Sequence, residues 1–158
     1  MNGGAFVTIA SPGPRANTGN VTYVDTTVAA GDTYAYRVKA VNGAVSSAYS
    51  NTATLVLPAP PAAPSNLTAA ALPAKGNGNN RQAALTWVDN ASNETGFTIQ
   101  RSTNANFNAN LVTTNVAANL TSATLTGLPR RTTLYFRIRA NNGAGPSAWS
   151  NSASVTTP

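Results

Sequence analysis

Cysteine is absent from the 158 residues, and so is histidine. Without cysteine there is no disulfide framework and no thiolate metal centre. That says little about compartment, because a chain long enough to build a core does not need disulfides outside the cell. Without histidine the commonest proton carrier is gone, and no serine has a base partner except the remote Lys39 and Lys75, so acid–base and nucleophilic catalysis lose their usual parts. Acidic side chains are scarce too: Asp25, Asp32, Asp89 and Glu94 are the whole set. Ten basic residues against four acidic ones give a net charge of +6, so the basic balance reflects missing acids more than abundant bases. Its sign favours nucleic acid, but no basic run exceeds the pair Arg130 and Arg131, and no nucleic-acid partner is expected. Apolar runs are short as well. None approaches the roughly 20 residues of a membrane span, so no membrane insertion is expected, and MNGGAFVTIASPGPR lacks the basic region and apolar core of a signal peptide. Any export signal is expected elsewhere.

What the chain has instead is neutral polarity. Hydrophobic residues make up 42% and suffice for a core, while charged residues make up only 9%, well below the roughly 25% of an average domain. Asn, Thr, Ser and Ala fill the surface, and the Thr and Val content favours strands. An all-β protein is expected, as one domain or two small ones.

A repeat organises it. Residues 28 to 58, VAAGDTYAYRVKAVNGAVSSAYSNTATLVLP, align without a gap on residues 128 to 158, LPRRTTLYFRIRANNGAGPSAWSNSASVTTP, with twelve of 31 positions identical. One structural unit is present twice. Within it the period is two: Tyr34, Tyr36, Val38 and Ala40 alternate with Ala35, Arg37 and Lys39, as Leu134, Phe136, Ile138 and Ala140 do with Tyr135, Arg137 and Arg139. Apolar on one face and basic on the other is the pattern of a half-buried strand. The turns NGAVSS and NNGAGPS follow, then a further strand at 49 to 57 and at 149 to 157.

Upstream of the second copy lie SNLTAAAL (65 to 72), ALTWVD (84 to 89), GFTIQRS (96 to 102), LVTTNVA (111 to 117) and SATLTGL (122 to 128). Short strands at this spacing predict a β-sandwich. Between the copies, the prolines of PAPPAAP (58 to 64) fix φ and lack the N–H, which predicts a semi-rigid linker over 59 to 64.

The run WVDNASNETGFTIQRS at 87 to 102, LP at 128 to 129, YFRIRANN at 135 to 142 and SAWSN at 147 to 151 together resemble a bacterial-type fibronectin type III domain. The resemblance covers residues 62 to 158, with 65 to 158 as the complete domain. It implies an immunoglobulin-like sandwich with strands A, B and E in one sheet and C, C′, F and G in the other. Tyr34 fits the family's tyrosine-corner position in the first copy; the second has Leu134 there, with Tyr135 beside it. It also implies that 1 to 58 is the C-terminal half of a tandem partner, incomplete, with FVTIA (6 to 10) as C′, VTYVDTT (21 to 27) as E, 33 to 42 as F and 49 to 57 as G. Strands A, B and C have no counterpart there. Its inward set would be Phe6, Ile9, Tyr23, Tyr34, Tyr36, Val38 and Leu55. Each is worth roughly 1.5 to 3 kcal/mol when buried, so leaving about five uncovered forfeits on the order of 10 kcal/mol, comparable with the whole stability of a domain. Phe6, Tyr34, Tyr36 and Val38 thus form a candidate strand-completion face, to be covered by another polypeptide or by upstream strands of the same one.

Other candidates are weaker. Asp89 and Glu94 share one loop and could serve Ca²⁺ as hard oxygen ligands, but two carboxylates are few, and with Asn90 and Asn93 they more simply lock the turn through side chain to backbone bonds. The glycines of KGNGNN (75 to 80) lack the G-K-[ST] of a phosphate loop. Tyr135, Arg137 and Arg139, beside Thr98 and Gln100, form a candidate interaction face for carbohydrate, acidic polymers or protein, against the simpler reading of a solvated face whose Arg stems cover apolar surface. N-x-[ST] sequons stand at Asn20, Asn66, Asn90, Asn93 and Asn119, and no Arg-Gly-Asp occurs.

The function expected is therefore a non-catalytic spacer or interaction module of a secreted or cell-surface protein, with no metal and no cofactor. Its partner is protein, by self-association or through the missing strands, or else carbohydrate. Two alternatives stand beside it: a subunit of an extracellular fibre whose incomplete first domain is completed by a neighbouring chain, and an accessory region of a secreted polysaccharide-degrading enzyme.

Overall fold

The computed structural model describes residues 4–15, 18–73 and 80–158, so the KGNGNN loop apart from Asn80 lies outside the described residues. The chain divides into two compact units, Met1–Ala59 and Pro60–Pro158. Strands and turns account for the regular structure of both, and among the described residues no helix is long and apolar enough to cross a membrane.

In the first unit, β1 (Thr33–Tyr36) pairs antiparallel with β4 (Ala53–Val56), setting Tyr34 opposite Leu55. Between them β2 (Val41–Asn42) and β3 (Val45–Ser46) form a hairpin tip, where Gly43 takes φ 59, a left-handed turn conformation that glycine adopts freely. Residues 37–40 are not strand, yet one side of their backbone is held: Val38 N–H donates to Ser50 Oγ and its carbonyl accepts from Ser50 N–H, while Ala40 is held in the same way by Ser47.

Residues 6–10 and 21–27, expected as strands C′ and E, form no strand. The physical reason is the missing ladder. In the second unit the strands of that kind, Val112–Ala117 and Ser122–Leu128, pair with Gly96–Ser102 and Arg81–Val88, whereas among the described residues of the first unit no strand pairs with 6–10 or 21–27, so the segments lack the ladder that would hold them extended. The 21–27 stretch is tied down by side chains instead: Asp25 Oδ1 accepts from the Thr27 N–H and hydroxyl, and Tyr36 OH donates to Asp25 Oδ2 at 3.1 Å.

The second unit runs β5 (Ser65–Ala71), β6 (Arg81–Val88), β7 (Gly96–Ser102), β8 (Val112–Ala117), β9 (Ser122–Leu128), β10 (Thr133–Asn142), β11 (Gly145–Pro146) and β12 (Ala153–Thr156). One sheet has the order β5-β6-β9; the other has β11-β10-β7-β8, with β12 also on β10. These are the A, B, E and C, C′, F, G sheets that the resemblance implied. Period-two alternation sends Leu67, Leu85, Trp87, Phe97, Ile99, Leu125, Leu134, Phe136 and Ile138 into one core between the sheets, where Trp87 meets Phe97 edge-on at 5.7 Å. Gly96 permits a close approach of β7 and β8, since a Cβ there would sit 2.7 Å from the Val116 carbonyl oxygen. The proline-rich segment joins this unit early: the Ala63 carbonyl accepts from Asn90 Nδ2 at 2.8 Å, and Pro61 and Pro64 are buried.

The corner before strand F is closed differently in the two units. In the first, Ala29 N–H donates to the Tyr34 phenol oxygen at 2.9 Å, and the phenol donates to Asp32 Oδ2. In the second, where Leu134 is buried in the core, Thr157 does the work: its hydroxyl accepts from Thr132 N–H at 3.1 Å and donates to the Pro129 carbonyl at 2.6 Å.

Candidate functional site

On the outer face of β10, Arg137 lies directly opposite Gln100 and Arg139 opposite Thr98 on β7, with Tyr135 opposite Ser102. The expected face is thus assembled, and much of it is satisfied internally. Arg137 Nε and Nη2 both donate to Gln100 Oε1, at 2.9 and 2.7 Å. Its guanidinium carbon stands 4.3 Å from the ring centres of both Phe107 and Trp149, and that of Arg139 stands 4.5 Å from Trp149. Burial, and secondarily the neighbouring Arg139 charge, push the Arg137 pKa below the usual arginine value. Thr98 is buried, its hydroxyl donating to Asn115 Oδ1 and accepting from Asn141 Nδ2. Stacked cations of this kind add stability and cover apolar surface.

The first unit repeats the stack with its own residues. Arg37 lies 4.0 Å over Phe6 and 3.9 Å over Tyr49, and Lys39 lies 5.3 Å over Tyr49. Phe6 therefore joins Arg37 on the basic side of the hairpin, whereas Tyr34 and Tyr36, which the sequence groups with it, stack on each other at 6.4 Å, with Val38 on their side by alternation. The candidate completion face consists of Tyr34, Tyr36, Val38 and Leu55, without Phe6.

That face differs from its twin in one respect: cover. Phe136 and Ile138 are 0% exposed, while Val38 is 72% and Leu55 43% exposed, with Tyr34 and Tyr36 half-buried. The polar positions show the same contrast. Arg37 makes no hydrogen bond among the described residues, whereas Arg137 has Gln100. Asn151 clamps the backbone of β5, accepting from Leu67 N–H and donating to the Leu67 carbonyl, both at 2.9 Å; the Asn51 amide has no such strand to hold.

The model for the fibronectin type III domain matches residues 62–156. The chain belongs to the fibronectin type III family. Among solved structures, a fibronectin type III-like protein from Clostridium thermocellum is 26% identical and covers 62% of this chain and 94% of its own, with a TM-score of 0.47. The FN1–FN3 domains of chicken CNTN1 are 19% identical with a TM-score of 0.55, covering 84% of this chain, which spans 44% of that one. This last likeness concerns fold alone. No curated protein matches the chain.

The carboxylates between β6 and β7 each accept from a backbone N–H. Asp89 Oδ1 accepts from Ala91 N–H at 3.0 Å and Glu94 Oε1 from Asn119 N–H at 3.0 Å, while Asn90 Nδ2 donates to Ala63 and Ser65. Among the described residues, no group of three or more His, Cys, Asp or Glu gathers in one place. Sequence reasoning missed Trp149, Phe107 and Asn115 as members of the β10 face, and Asn51 and Asn151 altogether. Trp149 could have been found: it and Tyr49 hold the same place in SAWSN and SAYSN, one aromatic beside two cations in each copy. Phe107 and Asn115 come from loop and edge strand, and no local pattern marks them.

Proposed function

We propose that the chain is a non-catalytic spacer and interaction module of a secreted or cell-surface protein, with residues 60–158 as the self-sufficient spacer and residues 4–59 as the part that engages a partner. One observation supports this best: the same hairpin occurs twice, its inner face closed in one unit and open in the other, with Ile138 at 0% and Val38 at 72% exposure. Exposed apolar side chains gathered on one face mark interaction sites in soluble proteins. Family membership agrees, since fibronectin type III domains are generally non-catalytic modules, and the side chains of the basic face hold one another.

Residue-resolved hydrogen exchange on the full chain tests it. Amides of 133–142 are expected to be protected and those of Arg37 and Lys39 to exchange freely; equal protection in both units would leave a plain spacer with no open face. Sedimentation velocity over a concentration series covers the fibre reading, for which a growing ladder of oligomers is the signature and a persistent monomer the refutation.

A further inference from the structure

We infer that Asn42–Gly43, at the tip of the first hairpin, is a self-modifying site where the asparagine turns into aspartate or isoaspartate, with water as the co-reactant. The twin pair Asn142–Gly143 is held back by its own turn. The reaction needs no partner, so it is independent of whether the open face engages one.

The step is an intramolecular cyclisation. The Gly43 main-chain nitrogen attacks the Asn42 side-chain carbonyl carbon and gives up its proton to solvent base. The bond from that carbon to Nδ2 breaks, ammonia leaves with a proton taken from solvent, and a five-membered imide remains. Water then adds to either imide carbonyl and reopens the ring. One route leaves aspartate; the other leaves isoaspartate, whose main chain runs through the side-chain carboxyl carbon. No electrons are exchanged. The attacking nitrogen reaches the side chain most easily when its own residue carries no Cβ, and glycine is the residue without one. In a two-residue hairpin loop the first loop residue has no ladder partner, which leaves the Gly43 nitrogen available.

Both tips carry the same three residues, Asn-Gly-Ala, so local sequence alone would make them react alike. Their turns differ. Asn42 pairs with Val45 across the first tip and Asn142 with Gly145 across the second. In the second hairpin the positive φ falls on Gly145, at 130, a conformation closed to valine; in the first, where Val45 holds that place, it falls on Gly43, at 59. The side chains register the change. Asn142 Oδ1 accepts from the Ala144 N–H at 2.8 Å, and its Nδ2 donates to the Asn93 carbonyl at 3.3 Å, which pins the amide that would have to swing onto the Gly143 nitrogen. Asn42 is exposed and makes neither bond among the described residues. Its main chain is less firmly held too, since residues 37–40 are not strand whereas Thr133–Asn142 is one continuous strand. Conversion places a carboxylate in the hairpin whose Ser46 hydroxyl lies 3.5 Å from Lys39 Nζ, and the iso product lengthens the main chain by one atom, enough to break the short ladder with Val45.

Timed incubation of the full chain at mildly alkaline pH, followed by tryptic mass mapping, tests this, because the peptides 40–75 and 140–158 each hold a single Asn-Gly pair. The pairs Asn2–Gly3 and Asn77–Gly78 lie outside the described residues and fall in other peptides. The mass gain of amide-to-acid conversion is expected to build up at Asn42 about tenfold faster than at Asn142 or more, since the hydrogen bonds that pin Asn142 must open before it reacts. In urea strong enough to unfold both units the two rates are expected to converge. Val45→Gly lets the first hairpin take the turn of the second and should slow Asn42, whereas a merely looser tip would react faster. Equal rates in the native chain, or a faster Asn142, overturn the inference. A difference that survives urea belongs to the sequence and overturns it as well, and so does a Val45→Gly chain in which Asn42 reacts as fast as before or faster.

Discussion

A pair of twin substitutions measures the missing cover directly. Ile138 and Val38 hold equivalent places on strand F, at 0% and 72% exposure. Truncating a fully buried isoleucine to alanine removes the transfer energy of its methyl groups and leaves a cavity, a cost of about 2–5 kcal/mol. Val38→Ala removes two methyl groups at about 0.8 kcal/mol each when fully buried, and with only the remaining quarter or so of the side chain covered the cost is about 0.5 kcal/mol. At about 4–8 °C per kcal/mol for a domain of this size, Ile138→Ala is expected to lower the melting temperature of the second unit by about 8–40 °C, and Val38→Ala to shift the first by about 4 °C or less. Thermal melts followed by two-dimensional NMR keep the units apart, because each reports through its own amide signals. If Val38→Ala lowers the first unit as far as Ile138→Ala lowers the second, Val38 is covered in solution and the reasoning from exposure fails.

Other outcomes follow from single contacts. The Thr27 hydroxyl and N–H, and more weakly Tyr36, hold the Asp25 pKa below the usual aspartate value; a depressed folded-state pKa gives stability that is present above about pH 4 and lost as pH falls through the lower folded value. Asp25→Asn is therefore expected to flatten the acid limb of a stability–pH curve for the first unit, and an unchanged limb would count against it. Thr157→Val leaves Thr132 N–H and the Pro129 carbonyl without the hydroxyl that serves both, a loss of about 1–3 kcal/mol readable by chemical denaturation; a neutral result would show that water closes that corner equally well. Arg131 takes φ 47 where the twin position is Gly31 with φ 89. Since a left-handed conformation costs a side-chain-bearing residue about 1–2 kcal/mol, part of it offset by glycine's greater unfolded freedom, Arg131→Gly is expected to stabilise the second unit by about 0.5–1 kcal/mol, and destabilisation would refute the strain.

Much of the sandwich could be read from the chain because its strands advertise themselves locally. GFTIQRS and SATLTGL became β7 and β9 with no change of boundary, each bounded by turn residues. Strand B began earlier than read, at Arg81 rather than Ala84, because an arginine and a glutamine at its start break the apolar alternation that marks a strand. FVTIA and VTYVDTT carry strand-like residues and still form none, since a ladder belongs to two strands and the pattern of one cannot show whether the other exists. The basic face was legible in the same partial way. Alternation put Arg137 and Arg139 on one side, but that both are stacked on Trp149, with Phe107 beyond, depends on a hairpin closing and a loop folding back.

The two corners differ in the order in which they can form. Tyr34 closes its corner across five residues, whereas Thr157 reaches back across 25 to Thr132. Loop-closure entropy scales with the logarithm of length, so the longer reach costs about 1.4 kcal/mol more before any contact repays it. The first hairpin can thus fix its bend while its neighbouring strands are still unformed. Both corners are also tied to the last strand of their unit through backbone, Leu57 N–H to the Asp32 carbonyl and Thr157 N–H to the Thr132 carbonyl, but in the second unit the side chain that closes the bend comes from that last strand's end as well, so more of that corner waits for β12 to dock.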